Sequence, residues 1–201
     1  MKPFKTHRGL VVTLDRSNVD TDQIIAKQFL KSIARTGFGE HLFSDWRVLP
    51  DGKSNPDFPL NQPRFKGASI LVARNNFGCG SSREHAVWAI QQYGFQVVVA
   101  ETFADIFKNI CSKNSLLTVE LSSAEIEEIC QMVERYPGLS ATADVDEQRF
   151  TLHLAEEISF HFDIDAGVKE RLIHGLDDIG LTLKKEKAIR AFEKTNDVQL
   201  A

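Results

Sequence analysis

The stretch Ser69-Ile70-Leu71-Val72-Ala73-Arg74-Asn75-Asn76-Phe77-Gly78-Cys79-Gly80-Ser81-Ser82-Arg83-Glu84-His85, with Phe95-Gln96-Val97-Val98-Val99-Ala100 after it, decides the fold. Its first five residues are a short apolar run bounded by Gly67 and by Arg74-Asn75-Asn76. That is the pattern of a strand buried on both faces. The two glycines of Phe77–Ser82 mark a sharp turn, Ser82–Tyr93 reads as a helix, and Gly94 stands where a left-handed residue would end it. Residues 95–100 supply a second buried strand. Strand, glycine-rich turn, helix and strand make a βαβ crossover, which requires a parallel pair.

Outward from this unit the pattern is mixed. Gly9–Leu14 reads as a strand, Asp15–Asn18 as a polar turn, and Asp22–Ala34 as weakly helical. Residues 36–67 hold Gly, Pro and scattered aromatics (Phe38, Phe43, Trp46, Phe58, Phe65), predicting a long irregular segment of the kind that tends to carry function. Downstream, Thr102–Cys111 reads as a short helix and Leu116–Leu121 as a strand. Ser122 and Glu125 form a capping-box pair ahead of Ile126, Ile129, Cys130 and Val133, a helix that ends before Pro137-Gly138. Gln148–Leu154 and Ile158–Ile164 alternate as an antiparallel hairpin would. Helices follow near 165–174, stopped by Gly175, and near 182–194. The sum is a mixed α/β chain whose sheet is partly parallel and partly antiparallel.

The 201 residues leave room for one domain or at most two small ones, with 42% hydrophobic and 26% charged residues. Those proportions suit a soluble globular chain and exclude collagen-like, coiled-coil and disordered classes. A formal net charge of -4 disfavours nucleic acid as the primary partner. Met1–Arg8 lacks the apolar core of a signal peptide, and the longest apolar runs are strand-sized, far short of the ~20 residues that span a bilayer. The expectation is a cytoplasmic chain with no membrane partner. Its 3 cysteines lie far apart with no CxxC pair, and its 6 histidines show no HExxH spacing. A disulfide framework, a zinc site or an iron–sulfur site held by this chain alone is therefore not expected.

Chemistry concentrates at the glycine turn. Two glycines let the chain bend sharply after a strand and bring peptide N–H groups to an open edge, where a helix N-terminus favours an anion. Arg83 adds a planar fork suited to a carboxylate. The turn thus suits a small acidic substrate. Ser81 and Glu84 also fit capping-box spacing, so Ser81 has a purely structural reading as a helix cap. Neither GxSxG nor GxGxxG is spelled here. Cys79, without sequence neighbours to activate it, reads as a small, partly buried thiol. In Asn18-Val19-Asp20-Thr21-Asp22-Gln23-Ile24-Ile25 the two acids are placed to position a ligand, bind a cation or cap a helix, although EF-hand spacing is missing. Gly175–Leu183 reads as a helix stop, a turn and a helix start.

Four segments in register carry a resemblance: Asn18–Ile25, Phe77–His85, Thr102-Phe103-Ala104-Asp105-Ile106-Phe107 and Gly175–Leu183. Together they resemble the small-subunit family of bacterial 3-isopropylmalate dehydratases, stand-alone relatives of the aconitase swivel domain. The resemblance spans nearly the whole chain. It implies an aconitase-like swivelling β/β/α domain over residues 1–201, interrupted by the irregular segment near 36–67. It also implies a hydro-lyase active only with a large subunit, whose own cysteines hold a 4Fe-4S cluster, so that no cofactor sits in this chain. The implied reaction takes 2-isopropylmalate, a small dicarboxylic hydroxy acid, through 2-isopropylmaleate to 3-isopropylmalate in leucine biosynthesis. The family motif maps onto Gly80-Ser81-Ser82-Arg83. Ser81 is then the expected general base, Gly80, Ser82 and Arg83 bind substrate carboxylate, and the partner's open iron is the Lewis acid for the departing hydroxyl. Substrate choice in relatives is attributed to the loop that here reads Lys27-Gln28-Phe29-Leu30-Lys31-Ser32. Phe29 and Leu30 offer apolar surface for an isopropyl group, with a core role as the plainer reading of both. Relatives usually carry proline at positions 26 and 87, where this chain has Ala26 and Val87; neither change removes a functional group. A homoaconitase or citramalate-type small subunit is the nearest alternative, and a non-catalytic anion-binding domain another.

Overall fold

The computed structural model describes residues 1–31 and 35–196. In chain order the elements are β1 (Thr6–Leu14), α1 (Thr21–Ile24), α2 (Ser44–Arg47), β2 (Ile70–Ala73), α3 (Glu84–Tyr93), β3 (Val97–Ala100), α4 (Asp105–Lys113), β4 (Leu117–Glu120), α5 (Ser123–Arg135), β5 (Ser140–Asp144), β6 (Arg149–Leu152), β7 (Ile158–His161), α6 (Ala166–His174), α7 (Asp178–Leu183) and α8 (Glu186–Asn196). The seven strands form one sheet in the order β4-β3-β2-β1-β5-β6-β7.

The apolar runs explain the parallel half. Every residue of β2 and β3 is buried, as strands covered on both faces must be. Val11–Leu14 of β1 pair with Ile70–Ala73, and Ile70–Val72 with Val97–Val99. β4 then adds a fourth parallel strand along β3. The expected crossover through α3 is present. The other half of β1 does different work, since Thr6–Leu10 pair antiparallel with β5, so one strand joins the two halves of the sheet. The expected hairpin is β6–β7, with Leu152 opposite Ile158. β5 was not anticipated. Its buried positions, Ala141 and Ala143, alternate correctly, but alanine is a weak strand former and hides the signal.

Several boundaries differ from expectation for local reasons. The helix expected over 22–34 is a single turn, α1, followed by a 3₁₀ turn over Lys27–Lys31, because Ile25 is extended (φ -141°, ψ 113°). The rest of that expectation, residues 32–34, lies outside the described residues. Thr102–Ala104 are not helical. They run beside Phe77, whose N–H donates to the Thr102 carbonyl and whose carbonyl accepts from Ala104 N–H, and α4 starts only at Asp105. The helix expected at 182–194 is two, α7 and α8.

Residues 36–67 contain α2 and 3₁₀ turns at Gly39–His41, Pro59–Asn61 and Pro63–Phe65. Phe38, Phe43, Phe58 and Phe65 from this segment are buried in the main core. Phe38 packs edge-on to His85 and against Trp88, and its N–H donates to Gln92 Oε1 at 2.9 Å, so the segment is fastened to α3. Ser122 and Glu125 do form the capping box of α5, and Gly175 ends α6 in the left-handed conformation (φ 63°). No helix among the described residues is long and apolar enough to cross a membrane.

Candidate active site

Three loops leave the carboxyl ends of β1, β2 and β3, the edge where open parallel sheets collect ligands. They carry residues 15–22, 74–83 and 101–104. Short bonds lock them together. Asn76 Nδ2 donates to Asn18 Oδ1, Asn76 N–H to Thr102 Oγ1, and Gly78 N–H to the Val19 carbonyl at 2.7 Å. Three of the segments singled out in the sequence thereby meet at one place.

The bend itself depends on its glycines. Gly78 and Gly80 have φ of 74° and 87°, a region that side chains with a Cβ rarely enter. Gly78 also lies flat against the Phe107 ring, where a Cβ would come within 2.2 Å of Cγ. Thr21, only 2% exposed, clamps the bend from the neighbouring loop. Its N–H donates to the Cys79 carbonyl at 2.9 Å and its hydroxyl to the Ser81 carbonyl at 2.7 Å. The sequence pattern points to the two acids flanking this threonine, but the residue between them holds the bend.

Those acids have separate tasks. Asp20 caps α1, its side chain accepting from Gln23 N–H while Gln23 Oε1 accepts from Asp20 N–H. Asp22 accepts a hydrogen bond from Arg83 Nη1 and lies 3.4 Å from Lys27 Nζ. The Arg83 side chain is 13% exposed and held in one orientation, with the rest of its fork still available for a second anion.

Arg83 is the N-cap of α3 in an extended conformation (φ -140°, ψ 110°) with no side-chain cap bond. The helix therefore starts two residues later than expected, and Ser81 does not cap it. Gly80, Ser81 and Ser82 are exposed. Among the described residues, their N–H groups find no acceptor. Successive free N–H groups beside a guanidinium form an anion-binding concavity. A cavity of about 240 Å³ opens there, lined by Thr21, Ser81, Ser82 and Arg83 together with Ala104, Asp105, Ile106 and Phe107. Anion donors thus share the cavity with three apolar side chains and one carboxylate, Asp105.

Burial, reinforced by the Asp20 charge, pushes the Cys79 thiol above its usual range. That direction favours the protonated thiol, the weaker nucleophile. Phe29 and Leu30 do not line the cavity. Both are partly buried against the core, and Phe29 stacks on His41 with ring centroids 3.8 Å apart. Among the described residues, no group of three or more His, Cys, Asp or Glu side chains is arranged to hold a metal ion. A larger crevice of about 600 Å³ lies between Tyr136 and the 153–158 turn. Its one histidine, His153, already has both ring nitrogens engaged, by Thr142 and Glu157.

Known proteins share this sequence and architecture. The family profile of the aconitase C-terminal domain matches residues 1–124, and the profile of the C-terminal domain of the 3-isopropylmalate dehydratase small subunit matches residues 178–196. The 3-isopropylmalate dehydratase small subunit of Leptospira interrogans is 55% identical, over 96% of this chain and 94% of its own. Those of Desulforapulum autotrophicum and Halalkalibacterium halodurans are each 53% identical over 96% of this chain, and over 95% and 98% of their own lengths. The crystal structure of 3-isopropylmalate dehydratase from Methanocaldococcus jannaschii superposes with a TM-score of 0.65 at 24% identity, covering 94% of this chain and 99% of that one.

Proposed function

The chain belongs to the family of 3-isopropylmalate dehydratase small subunits, and on that premise we propose that it supplies the base and the carboxylate-binding half of a two-subunit hydro-lyase. The reaction interconverts 2-isopropylmalate and 3-isopropylmalate through 2-isopropylmaleate, a step of leucine biosynthesis. The large subunit is the expected partner. The 4Fe-4S cluster implied for the family has no ligand set among the described residues of this chain. We assign it to that partner.

The observation that carries the reading is the exposed Gly80-Ser81-Ser82 bend, its N–H groups free and Arg83 beside it. Dehydration removes a proton from the carbon next to a carboxylate and expels hydroxide from the adjacent carbon. Rehydration returns the two in the opposite sense, so one water leaves and one is regained. Ser81 Oγ, as alkoxide, takes the carbon-bound proton and later gives it back. An alkoxide is costly in water. Fixed N–H dipoles and a guanidinium in a closed, dry site offset that cost, and they need no reorganisation when charge develops. Ser82 and Arg83 hold a substrate carboxylate, with Arg83 aimed by Asp22.

Ala104, Ile106 and Phe107 of the cavity lining suit an isopropyl arm, and the Asp105 carboxylate among them repels a third carboxylate. Phe29 and Leu30, which lie outside the cavity, are assigned an indirect influence on the same substrate choice. Their turn begins at Lys27, whose ammonium meets the same Asp22 that holds Arg83. An apolar match of this size discriminates by about ten- to two-hundredfold. In the reconstituted two-subunit enzyme, kcat/KM for 2-isopropylmalate is therefore expected to exceed that for homocitrate by at least about tenfold. Equal values would overturn the substrate assignment.

A further inference from the structure

A buried hydroxyl needs a partner, and among the described residues Thr21 shares that burial only with Ser112 and Ser115. Its surroundings explain why a hydroxyl stands there. Residues 19–21 run beside the glycine bend as a short parallel bridge, with Asp20 opposite Cys79. Gly78 N–H donates to the Val19 carbonyl and Thr21 N–H to the Cys79 carbonyl. The bridge goes no further as backbone, because Asp20 caps α1 and Thr21 is already its first residue. The Thr21 hydroxyl takes over, donating to the Ser81 carbonyl at 2.7 Å.

One residue thereby holds two peptide planes of the bend. A trans peptide is planar, with its C=O and its N–H pointing in opposite directions. Holding the Cys79 carbonyl turns Gly80 N–H away from Thr21, and holding the Ser81 carbonyl does the same for Ser82 N–H. These are two of the three free donors of the bend. The second plane also ends on the Cα atoms of Ser81 and Ser82, so the hydroxyl bond sets where both serine side chains start. Thr21 itself has a fixed base. The Asp20–Gln23 capping box closes its turn, and Ile24 and Ile25 behind it are fully buried.

We propose that Thr21 is a positioning residue of the reaction, whose hydroxyl, through the Ser81 carbonyl, aims both the Ser81 base and the Ser82 N–H that meets substrate carboxylate. This rests on the reading of Ser81 as the base. Thr21 takes no proton itself and acts through the peptide it holds.

Thr21→Val keeps the shape and removes the hydroxyl, whereas Thr21→Ser keeps the hydroxyl. In the reconstituted two-subunit enzyme Thr21→Val is expected to lower kcat for 2-isopropylmalate by about ten- to a hundredfold, the scale of a misplaced reacting group, and Thr21→Ser to stay within about threefold of wild type. In a Ser81→Ala background Thr21→Val adds no further loss of kcat, since nothing is left to aim. A second readout needs no partner. In the full-length chain alone, NMR order parameters of the Gly80 and Ser82 amides are expected near ~0.85 in wild type and Thr21→Ser, and below about 0.6 in Thr21→Val. Wild-type kcat in Thr21→Val beside an inactive Ser81→Ala overturns this proposal alone. So do equal losses in the valine and serine variants, losses that multiply with Ser81→Ala, or amides already loose in wild type. Near-normal turnover in Ser81→Ala overturns the base assignment, and the proposal with it. Should Thr21→Val not fold by circular dichroism, Thr21→Ala decides by the same criteria.

Discussion

Replacing Ser81 by alanine in the assembled enzyme is expected to lower kcat by about a thousandfold, within the range typical of a lost general base, and to leave KM nearly unchanged. The N–H groups of the bend and the Arg83 guanidinium remain in the variant, so carboxylate binding persists while proton transfer from carbon loses its acceptor. Stability separates this role from a structural one. A serine that capped α3 would cost about 1 kcal/mol when truncated, but the cap position is Arg83 and Ser81 is exposed. Substitution at such a site is expected within about 0.5 kcal/mol of neutral. Steady-state kinetics and thermal melts on the same preparation check both halves. Near-normal turnover, or a large drop in melting temperature, contradicts the assignment.

Gly78→Ala is expected to be the most damaging single-methyl change at the bend. Two penalties add there. The left-handed backbone (φ 74°) costs an alanine about 1–2 kcal/mol. The new methyl also falls 2.2 Å from Phe107 Cγ, and Phe107 is 2% exposed and wedged against Phe77 and Phe103. Forcing a carbon into a packed site costs a further ~1–3 kcal/mol. A total near 3 kcal/mol corresponds to about 6–12 °C in melting temperature for a chain of this size. Gly80→Ala is the internal control. Its φ is similar at 87°, but its nearest contact is Asp20 Cβ at 3.4 Å, so only the backbone penalty applies. Phe107→Leu combined with Gly78→Ala should recover part of the loss, which differential scanning calorimetry would register. Equal effects at Gly78 and Gly80 would refute the steric account.

The parallel core was legible because Ile70–Ala73 and Val97–Ala100 are unbroken apolar runs with a glycine-marked helix between them, and local pattern there agrees with global burial. The capping box of α5 and the glycine stop of α6 were equally plain, since each is a local rule obeyed locally. What escaped depends on contacts distant in sequence. No periodicity tells that Thr102–Ala104 lie against Phe77 rather than opening a helix, or that Thr21 reaches across some sixty residues to fix Ser81. Ser81 and Glu84 had capping-box spacing and did not use it, because the two left-handed glycines and the Asp22–Arg83 bond keep the chain extended for two residues more. At the site itself the polar half was readable from Gly80-Ser81-Ser82-Arg83. The remainder of the lining was not, because Ile106 comes from α4, a different crossover of the sheet.

One titration tests most directly whether catalysis is divided between two chains. The large subunit is held fixed, this chain is added stepwise, and 2-isopropylmaleate formation is followed by its ultraviolet absorbance. The expected result is no turnover from either chain alone and a rate that rises to a plateau as the small subunit is added. Turnover of 2-isopropylmalate by the isolated 201-residue chain, or by the large subunit without it, would contradict the account.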